Sequence, residues 1–406
     1  MKFLKKNQIY IILILLLGLC LAGTGCGRKK KEKGSQPEEA STMAKDSTEI
    51  DEIMMENLVD DLLEEMTLEE KIGQLFIVCT DSLDFDAETS LTDQAAERIE
   101  KYQPGGVIFF SFNLKNRDQT MKMIRSMQAH SRIPMFMAVD EEGGMVARVA
   151  NTEGMGTTSF PPMAQIGAAG DVEKAAEVGE TIGREIGALG FNLDFAPVAD
   201  LTTNEKNTEI GERSFGSDPK LVSQMVSEEV KALQDQGVCA TLKHFPGQGD
   251  TGEDTHRGYV NLETTIDRLR DVEFLPFKAG IRAGADMVMV SHVAVSNVTG
   301  NEVPASLSSL MVNDILREEL RFDHVIVTDA MNMKVITKFY DSGQAARMAL
   351  EAGNDMILMP DDFIEAYESI QEGVSEGEIS EKTIDEAVRH ILEVKLRRGI
   401  IVQGDE

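Results

Sequence analysis

Cysteine is scarce in this sequence, and its spacing excludes one common kind of site. The chain of 406 residues contains four cysteines. Cys20 and Cys26 lie within and just after the apolar N-terminal run, whereas Cys79 and Cys239 each lie inside an apolar, strand-like run. No pair has the CxxC spacing of zinc and redox motifs. We expect Cys79 and Cys239 to be buried free thiols, although the sequence leaves a disulfide between them open.

Positive charge is also in short supply. The chain has 40 Lys and Arg residues against 70 Asp and Glu residues, a formal net charge of −30. Binding to nucleic acid requires a basic face that neutralises phosphates, so nucleic acid is excluded as a partner. The acidic surface is expected mainly to confer solubility. At 42% hydrophobic residues, the chain can nevertheless bury a large core.

The apolar run at the N-terminus is too short for an ordinary membrane span. It covers residues 9–22, which is 14 residues, whereas a bilayer needs about 20. The run follows three lysines and ends shortly before Cys26. This pattern predicts a lipoprotein signal peptide over residues 1–25, with Cys26 as the lipid-modified residue that anchors the protein to the outer face of the bacterial cell membrane. A basic run at 28–33 keeps an uncleaved anchor as the alternative.

The rest of the chain divides at about residue 50. Residues 26–50 are rich in Lys, Glu, Ser and Thr and have no periodic apolar pattern, so they predict a flexible tether. From residue 51 to residue 402, short apolar runs alternate with amphipathic segments. We therefore predict one globular domain over residues 51–402.

Eight strand-like runs can be counted in this domain, ending at residues 79, 110, 140, 198, 245, 292, 329 and 360. Amphipathic segments such as 171–189 and 218–236 lie between them, and 379–399 closes the domain. Eight alternations of strand and helix predict an α/β fold, a single (β/α)8 barrel of the TIM type. An open, doubly wound sheet is the alternative, because periodicity does not report closure.

Polar residues gather where the predicted strands end: Asp140, Lys243, His244, His292 and Asp329. In a closed barrel these ends converge on one pocket. Each residue alone has a structural explanation, since Asp140 could cap a helix, His292 could be a satisfied interior histidine and Asp329 could accept backbone hydrogen bonds. Their joint placement at the same end of different strands favours a functional site.

The most informative stretch is KHFPGQGDTGEDTHRG at residues 243–258. Its glycines allow the backbone to bend away from the preceding apolar strand. Asp254 and His256 are two residues apart and can hydrogen-bond to each other, and a histidine oriented by a carboxylate is a proton-transfer group. We therefore predict a catalytic loop here.

Two other chemistries remain open from the residues alone. Lys243, at a barrel strand end, could form a Schiff base as the lysine of an aldolase does. Two histidines and a carboxylate can also ligate zinc, and the residues available for such a site are His244, Asp254, His256 and His292.

The mature chain resembles glycoside hydrolase family 3, and within it the bacterial β-N-acetylglucosaminidases. The matching segments are MTLEEKIGQL at 66–75, IPMFMAVDEEGG at 133–144, IGERSFG at 210–216, KHFPGQG at 243–249 with DTH at 254–256, and VTDAMNM at 327–333. The KHFPG loop with its Asp-x-His is specific to the hexosaminidase branch. Gln248 and Met145 depart from the pattern, since they stand where the family usually has His and Arg.

The resemblance implies an exo-acting, retaining enzyme that needs no cofactor or metal. By this resemblance Asp329 is the nucleophile that forms a covalent glycosyl-enzyme. His256, oriented by Asp254, is the general acid and base in place of the usual second carboxylic acid, with His244 the next candidate for that role. Five positions are implied to bind the terminal sugar: Asp140, Arg148, Arg213, Lys243 and His244.

The implied substrate is a GlcNAc-containing glycan, either a peptidoglycan fragment (muropeptide) or a chitooligosaccharide. Three alternatives remain: a β-glucosidase of the same family, a phosphorylase in which phosphate replaces water, and a non-catalytic wall-binding lipoprotein. The third is disfavoured because both the Asp329 segment and the Asp254/His256 pair are intact.

Overall fold

Eight parallel strands form the centre of the protein. The computed structural model describes residues 53–252 and 258–402. The sheet strands are β1 (Phe76–Cys79), β2 (Gly106–Phe109), β3 (Phe136–Val139), β6 (Leu193–Asp194), β7 (Cys239–Phe245), β8 (Met287–Val290), β9 (Val325–Thr328) and β10 (Ile357–Leu358), and a separate hairpin consists of β4 (Glu141–Gly143) and β5 (Val146–Ala147). Each sheet strand lies within one of the eight predicted runs.

The sheet closes into a barrel. Its order is β10-β1-β2-β3-β6-β7-β8-β9, and the β1 residues Phe76 and Ile77 pair in parallel with the two residues of β10. A parallel bridge between Val327 of β9 and Met356, just before β10, joins the other edge. The predicted (β/α)8 barrel is confirmed, and the open-sheet alternative is wrong.

Helices surround the barrel. In the described part of the chain the α-helices span 53–65, Leu68–Gln74, Thr80–Leu83, Asp93–Tyr102, Arg117–Gln128, Met163–Ala169, Val172–Gly187, Pro219–Asp235, Ile266–Arg268, Phe274–Arg282, Ser296–Thr299, Lys334–Thr337, Ser342–Ala352, Phe363–Glu376 and Glu381–Arg397. Leu269–Glu273 and Leu310–Glu319 are π-helical, and Ser111–Asn113, Gly211–Arg213 and Ala305–Leu307 are 3₁₀ turns. The three amphipathic segments predicted from periodicity all form helices.

Local sequence signals explain where several helices begin. Thr67 precedes Leu68–Gln74, and its Oγ1 accepts a hydrogen bond from the Glu70 N–H at 3.2 Å. The Glu70 carboxylate accepts in return from the Thr67 N–H at 2.9 Å, which completes a capping box. Asp218 caps the helix Pro219–Asp235, whose first residue is the proline that this position favours.

The core lies inside the barrel and between the barrel and its helices. Every residue of β1, β2, β3, β8 and β9 is buried, because helices cover the outer face while side chains fill the interior. Cys79 and Cys239 are buried free thiols, as expected. Among the described helices, none combines the length and the apolar composition needed to cross a bilayer.

Candidate active site

The polar strand-end residues lie together at the carboxyl end of the barrel. Lys243, near the end of β7, reaches across the pocket to Asp140 after β3, and its Nζ lies 2.7 Å from Asp140 Oδ1. The same Nζ lies 2.6 Å from Glu142 Oε1. The predicted convergence of strand ends is therefore present for these residues. Glu142 is a member of the site that was not predicted.

Carboxylates keep Lys243 charged although it is buried. Burial lowers the pKa of a lysine, but Asp140 and Glu142 outweigh that effect and raise the pKa of Lys243 above its ordinary value. Burial likewise opposes ionisation of Glu142, yet Arg213 and Lys243 hold its pKa well below the usual range. A Schiff-base lysine must present a neutral amine. The charged state of Lys243 therefore argues against the aldolase alternative.

Arg213 is held mainly by protein groups. Its Nε and Nη2 donate to the two oxygens of Glu142 at 2.8 and 2.7 Å, and its Nη1 donates to the Glu209 carbonyl at 3.1 Å. Nη2 also lies 3.3 Å from His244 Nε2. A guanidinium has five N–H donors, and these contacts engage most of them. Arg213 thus positions Glu142 and His244 more than it offers donors to a ligand.

His244 has both ring nitrogens engaged. Arginine has no acceptor, so Nε2 accepts from Arg213 and the ring proton lies on Nδ1. Nδ1 donates to Asp200 Oδ2 at 2.7 Å, and the same oxygen accepts the His244 backbone N–H at 2.9 Å. Asp200 Oδ1 accepts from the Gln248 N–H at 2.8 Å. In this geometry the Nδ1 proton of His244 faces Asp200, which disfavours His244 as a substitute acid.

Asp329 is a half-buried carboxylate at the end of β9. Its Oδ1 accepts from the Ala330 N–H at 2.8 Å, and its own N–H donates to the Val290 carbonyl at 2.8 Å. Burial by itself would raise the pKa of Asp329. Neighbouring groups outweigh it and hold the pKa below its ordinary value: His244, His292, the Ala330 N–H and Lys243. The side chain is therefore ionised at neutral pH, as a nucleophile must be.

The contacts of His292 agree with its structural explanation, that of an interior histidine whose ring nitrogens are both hydrogen-bonded. Its Nε2 lies 3.0 Å from the Ala330 carbonyl, which only accepts, so this nitrogen carries the proton. Its Nδ1 lies 2.7 Å from Ser306 Oγ. Burial lowers the pKa of His292 despite the nearby Asp329 carboxylate. His292 thus fixes the Ala330 carbonyl and with it the segment that carries Asp329.

The β4–β5 hairpin positions Arg148, the residue that directly follows β5, next to Asp140. Arg148 Nη2 lies 3.7 Å from Asp140 Oδ2, and the guanidinium lies over the Phe110 ring at 5.6 Å from its centroid. Among the described residues Arg148 Nε is buried without a hydrogen-bond partner. Glu141 anchors the turn by accepting the N–H groups of Val149 and Ala150 at 2.7 and 2.8 Å. Burial raises the pKa of Glu141 to about 7.

The glycine-rich loop after β7 packs directly against the segment that contains Leu201. A side chain at Gly249 would place its Cβ 1.8 Å from the Leu201 carbonyl oxygen, so only glycine fits. The peptide bonds Lys243–His244 and Phe245–Pro246 are both cis. Gln248 is buried, and its side chain contacts Glu209. Met145, in contrast, is 76% exposed at the tip of the hairpin.

Three predicted functional residues cannot be placed. Asp254 and His256 lie outside the described residues, and so does Cys26. Within residues 53–252 and 258–402, no three His, Cys, Asp or Glu side chains come together as a metal-binding group. The zinc alternative includes Asp254 and His256 and therefore stays untested. The proton-transfer role of His256 also stays a prediction.

Charged side chains gathered at the carboxyl end of a closed parallel barrel are typical of the active sites of (β/α)8 barrel enzymes. Comparison with known proteins narrows this class. Residues 67–394 match the model of the glycosyl hydrolase family 3 N-terminal domain, which is most of the chain. The protein belongs to glycosyl hydrolase family 3.

Individual relatives share this domain. Beta-hexosaminidase A from Pseudoalteromonas piscicida is 35% identical over 294 residues, covering 68% of this chain and 48% of that protein. Beta-hexosaminidase from Stenotrophomonas maltophilia is 34% identical over 293 residues, covering 70% of this chain and 85% of that protein. A family 3 β-N-acetylglucosaminidase structure from a Paenibacillus species is 38% identical with a TM-score of 0.78, covering 84% of this chain and 64% of that one. The chain thus spans about half the length of the first relative.

Proposed function

We propose that the protein is an exo-acting, retaining β-N-acetylglucosaminidase that removes terminal, non-reducing GlcNAc from peptidoglycan fragments or chitooligosaccharides. The observation that carries the proposal is the position of Asp329, a carboxylate with a lowered pKa, at the same barrel end as the Lys243, Asp140 and Glu142 cluster. The similarity to β-hexosaminidases of family 3 supports the choice of sugar.

The reaction needs two inversions at the anomeric carbon. Asp329 attacks that carbon while His256, as imidazolium beside Asp254, gives its proton to the departing glycosidic oxygen. The products of this step are a free alcohol and a glycosyl ester on Asp329. The now neutral His256 takes a proton from water, whose oxygen attacks the same carbon and releases Asp329 as carboxylate.

The charged groups opposite Asp329 suit the hydroxyls of the terminal sugar. Asp140 accepts hydrogen bonds, whereas Lys243 and Arg148 donate them. Arg213 and His244 act behind these groups, because their donors are directed at Glu142 and Asp200. Removing either should weaken sugar binding through misplacement of Lys243 and Glu142.

Product analysis tests the proposal. The full chain, purified in detergent, is assayed on aryl β-GlcNAc, aryl β-glucoside and GlcNAc-MurNAc, each with and without inorganic phosphate. We expect GlcNAc as the product from the first and third substrates. Preference for the glucoside would assign the β-glucosidase alternative, and GlcNAc-1-phosphate would assign a phosphorylase. Absence of turnover on all three would support the non-catalytic alternative.

The role of His256 is tested with leaving groups. A sugar hydroxyl leaves poorly without a proton, whereas an activated phenol leaves without help. His256→Ala should therefore lose about 10²-fold more activity on a GlcNAc disaccharide than on an activated aryl glycoside. Asp254→Ala should show the same pattern more weakly. Equal losses on both substrates would give His256 a positioning role instead.

We also propose that the enzyme works outside the cell, held to the outer face of the membrane by lipid on Cys26. The support is the sequence pattern of residues 1–26. Cys26→Ser should abolish incorporation of labelled fatty acid. Label that persists in this variant would exclude Cys26 as the modified residue.

A further inference from the structure

Three consecutive acidic residues, Asp140, Glu141 and Glu142, have different surroundings where the chain passes from β3 into β4. Successive side chains of extended chain point to opposite faces. Asp140 and Glu142 both contact Lys243 in the pocket. The carboxylate of Glu141 is instead directed at the turn after β5, and Glu141 is only 3% exposed. Asp140 and Glu142 thus face the candidate site, and the buried Glu141 requires a separate explanation.

Both carboxylate oxygens of Glu141 hold the backbone next to Arg148. Oε2 accepts from the Val149 N–H at 2.7 Å, and Oε1 accepts from the Ala150 N–H at 2.8 Å. These are the two peptide groups that directly follow Arg148. Hydrogen bonds to an ionised group are roughly twice as strong as those between neutral groups. The Glu141 carboxylate therefore fixes the turn that carries Arg148.

The backbone on either side of this contact is bonded as well. The Arg148 N–H donates to the Asp140 carbonyl at 3.1 Å, and the Arg148 carbonyl accepts from Thr152 Oγ1 at 2.7 Å. The Glu141 N–H donates to Oδ1 of Asp194, a fully buried residue of β6, at 2.9 Å. Glu141 is thus tied to the barrel through its N–H and to the turn through its carboxylate.

The side chain of Arg148 has a donor left for a ligand. Its guanidinium lies over the Phe110 ring, and its Nη2 lies 3.7 Å from Asp140 Oδ2, which is longer than a hydrogen bond. Its Nε is buried and has no partner among the described residues. Under the proposed function, on which this inference rests, Arg148 donates to a hydroxyl of the terminal sugar. A shift of the turn would misdirect that donor.

The contact with the turn requires the ionised form of Glu141. A carboxylate accepts at both oxygens, whereas the proton of a carboxylic acid turns one oxygen into a donor. One of the two buried N–H groups would then lose its acceptor. Burial raises the pKa of Glu141 to about 7, against the two N–H groups and Arg148, which lower it; Asp140 raises it further. Asp194, the other acidic neighbour, has a pKa that burial raises well above its ordinary value.

We infer that Glu141 is a positioning residue for Arg148, and that full affinity for the terminal sugar requires Glu141 to be ionised. Glu141 acts through the turn rather than on the substrate. Because the ionised form favours binding, the sugar should bind most tightly above pH 8 and more weakly as the pH falls through 7. Glu153 provides a matched control, because it is an exposed acid only five residues after Arg148.

Binding of free GlcNAc tests this inference without turnover. The detergent-purified full chain is titrated by calorimetry between pH 8.5 and pH 5. The wild type should lose about 10-fold in affinity, the effect of one hydrogen bond to a charged group. Binding at pH 7 should release protons, so its heat should depend on the buffer. Glu141→Gln should bind as weakly as the wild type at pH 5 and release none of these protons. Glu153→Gln should behave as the wild type does.

A double-variant cycle tests whether Glu141 acts through Arg148. Ligand-observed NMR, which detects weak binding, measures the affinities for GlcNAc. Arg148→Ala should weaken binding and remove the dependence on pH that Glu141 contributes. Adding Glu141→Gln to Arg148→Ala should cost no further affinity. Urea unfolding curves check that each variant is folded. If Glu141→Gln does not fold, the wild type and Arg148→Ala still decide, because only the wild type should release protons.

The outcomes separate this inference from the proposed function. If the affinity of the wild type changes with pH no more than that of Glu141→Gln or Arg148→Ala, the positioning role is refuted and the function stands. Additive losses in the double variant would also refute it, because Glu141 would then act elsewhere. Loss of the pH dependence in Glu153→Gln would assign the effect to net charge and overturn the inference. A wild type that binds no GlcNAc at any pH would overturn the inference together with the proposed sugar.

Discussion

Two lysines, Lys243 and Lys395, are buried at opposite ends of the same barrel and have different neighbours. Lys243 lies at the carboxyl end, within 2.7 Å of carboxylates on both Asp140 and Glu142. Lys395 lies at the amino end, where its Nζ donates to Gln74 Oε1 at 2.7 Å and sits 4.9 Å from the centroid of the Phe136 ring. The two side chains are 2% and 0% exposed.

Their pKa values move in opposite directions. Carboxylates outweigh burial at Lys243 and raise its pKa, whereas burial lowers the pKa of Lys395 to about 7. Burial alone therefore does not decide the charge of a lysine, because the presence of an anionic partner does. The carboxyl end of the barrel thus favours the charged form of its buried lysine, whereas the amino end favours the neutral form of its own. The comparison predicts which end sets activity and which sets stability.

The largest expected effect is on turnover. Asp329→Asn should lower kcat by at least about 10³-fold, because the amide cannot form the glycosyl ester. Stability should hardly change, since the asparagine oxygen can still accept the Ala330 N–H. Rates on aryl β-GlcNAc and urea unfolding curves measure the two quantities.

Asp355→Asn is the corresponding substitution at the amino end of the barrel, and it is compared with Asp329→Asn. Asp355 Oδ2 accepts from Arg317 Nη2 and from the Ile326 N–H, both at 2.7 Å, and its Oδ1 lies 2.8 Å from His390 Nδ1. The variant should lose about 2 kcal/mol of stability and keep kcat. A lower kcat in Asp355→Asn, or a lower stability in Asp329→Asn, would contradict the prediction that the carboxyl end of the barrel sets activity and the amino end sets stability.

The second prediction concerns the charge cluster itself. Lys243→Met leaves Asp140 and Glu142 without their shared cation, and breaking a buried ion pair costs about 3–5 kcal/mol. We expect the lower end of that range, because Arg213 still pairs with Glu142 and Arg148 with Asp140. The double variant Lys243→Met/Asp140→Asn should recover part of the loss. A double variant no more stable than the single one would mean that Lys243 acts through packing.

The barrel and part of its candidate site could be predicted from the sequence. Strand ends placed Asp140, Lys243 and Asp329 on one rim, because parallel strands of a barrel share a direction. Glu142 could also have been found, since residues two apart in extended chain share a face and both it and Asp140 contact Lys243. The tertiary pairing of Asp200 with His244 had no local signal, because contacts between distant segments depend on closure of the whole barrel.

The burial of Lys395 did have a signal. It lies four residues after Ile391 and seven after Val388, on the buried face of the helix Glu381–Arg397, so helical periodicity places it in the core. The lowered pKa of Lys395 had no such signal in the sequence, because the pKa depends on which groups from other segments surround the side chain. Gln74 and Phe136 come from far away in the sequence and neither is anionic. Periodicity can thus find a buried lysine without revealing its protonation state.

The last prediction measures that protonation state. Lys395→Met should change the free energy of unfolding by only about 1–2 kcal/mol at pH 7, because the lost hydrogen bond to Gln74 is offset by removal of a side chain that must shed its proton to fold. The dependence on pH is the sharper test. Between a folded pKa of about 7 and an unfolded pKa of about 10.4, the unfolded state binds more protons, so wild-type stability rises with pH in this window.

The slope is at most about 1.4 kcal/mol per pH unit, and it should vanish in Lys395→Met. Subtracting the variant's unfolding free energy from the wild-type value at pH 7, 8 and 9 cancels the other titrating groups, including Cys239, whose pKa burial raises well above its usual value. The same subtraction with Lys243→Met should give no slope, because the raised pKa of Lys243 leaves it protonated in both states over this range. A flat difference for Lys395, or a rising one for Lys243, would mean that the two buried lysines do not differ in charge and that the contrast between the two ends of the barrel is wrong.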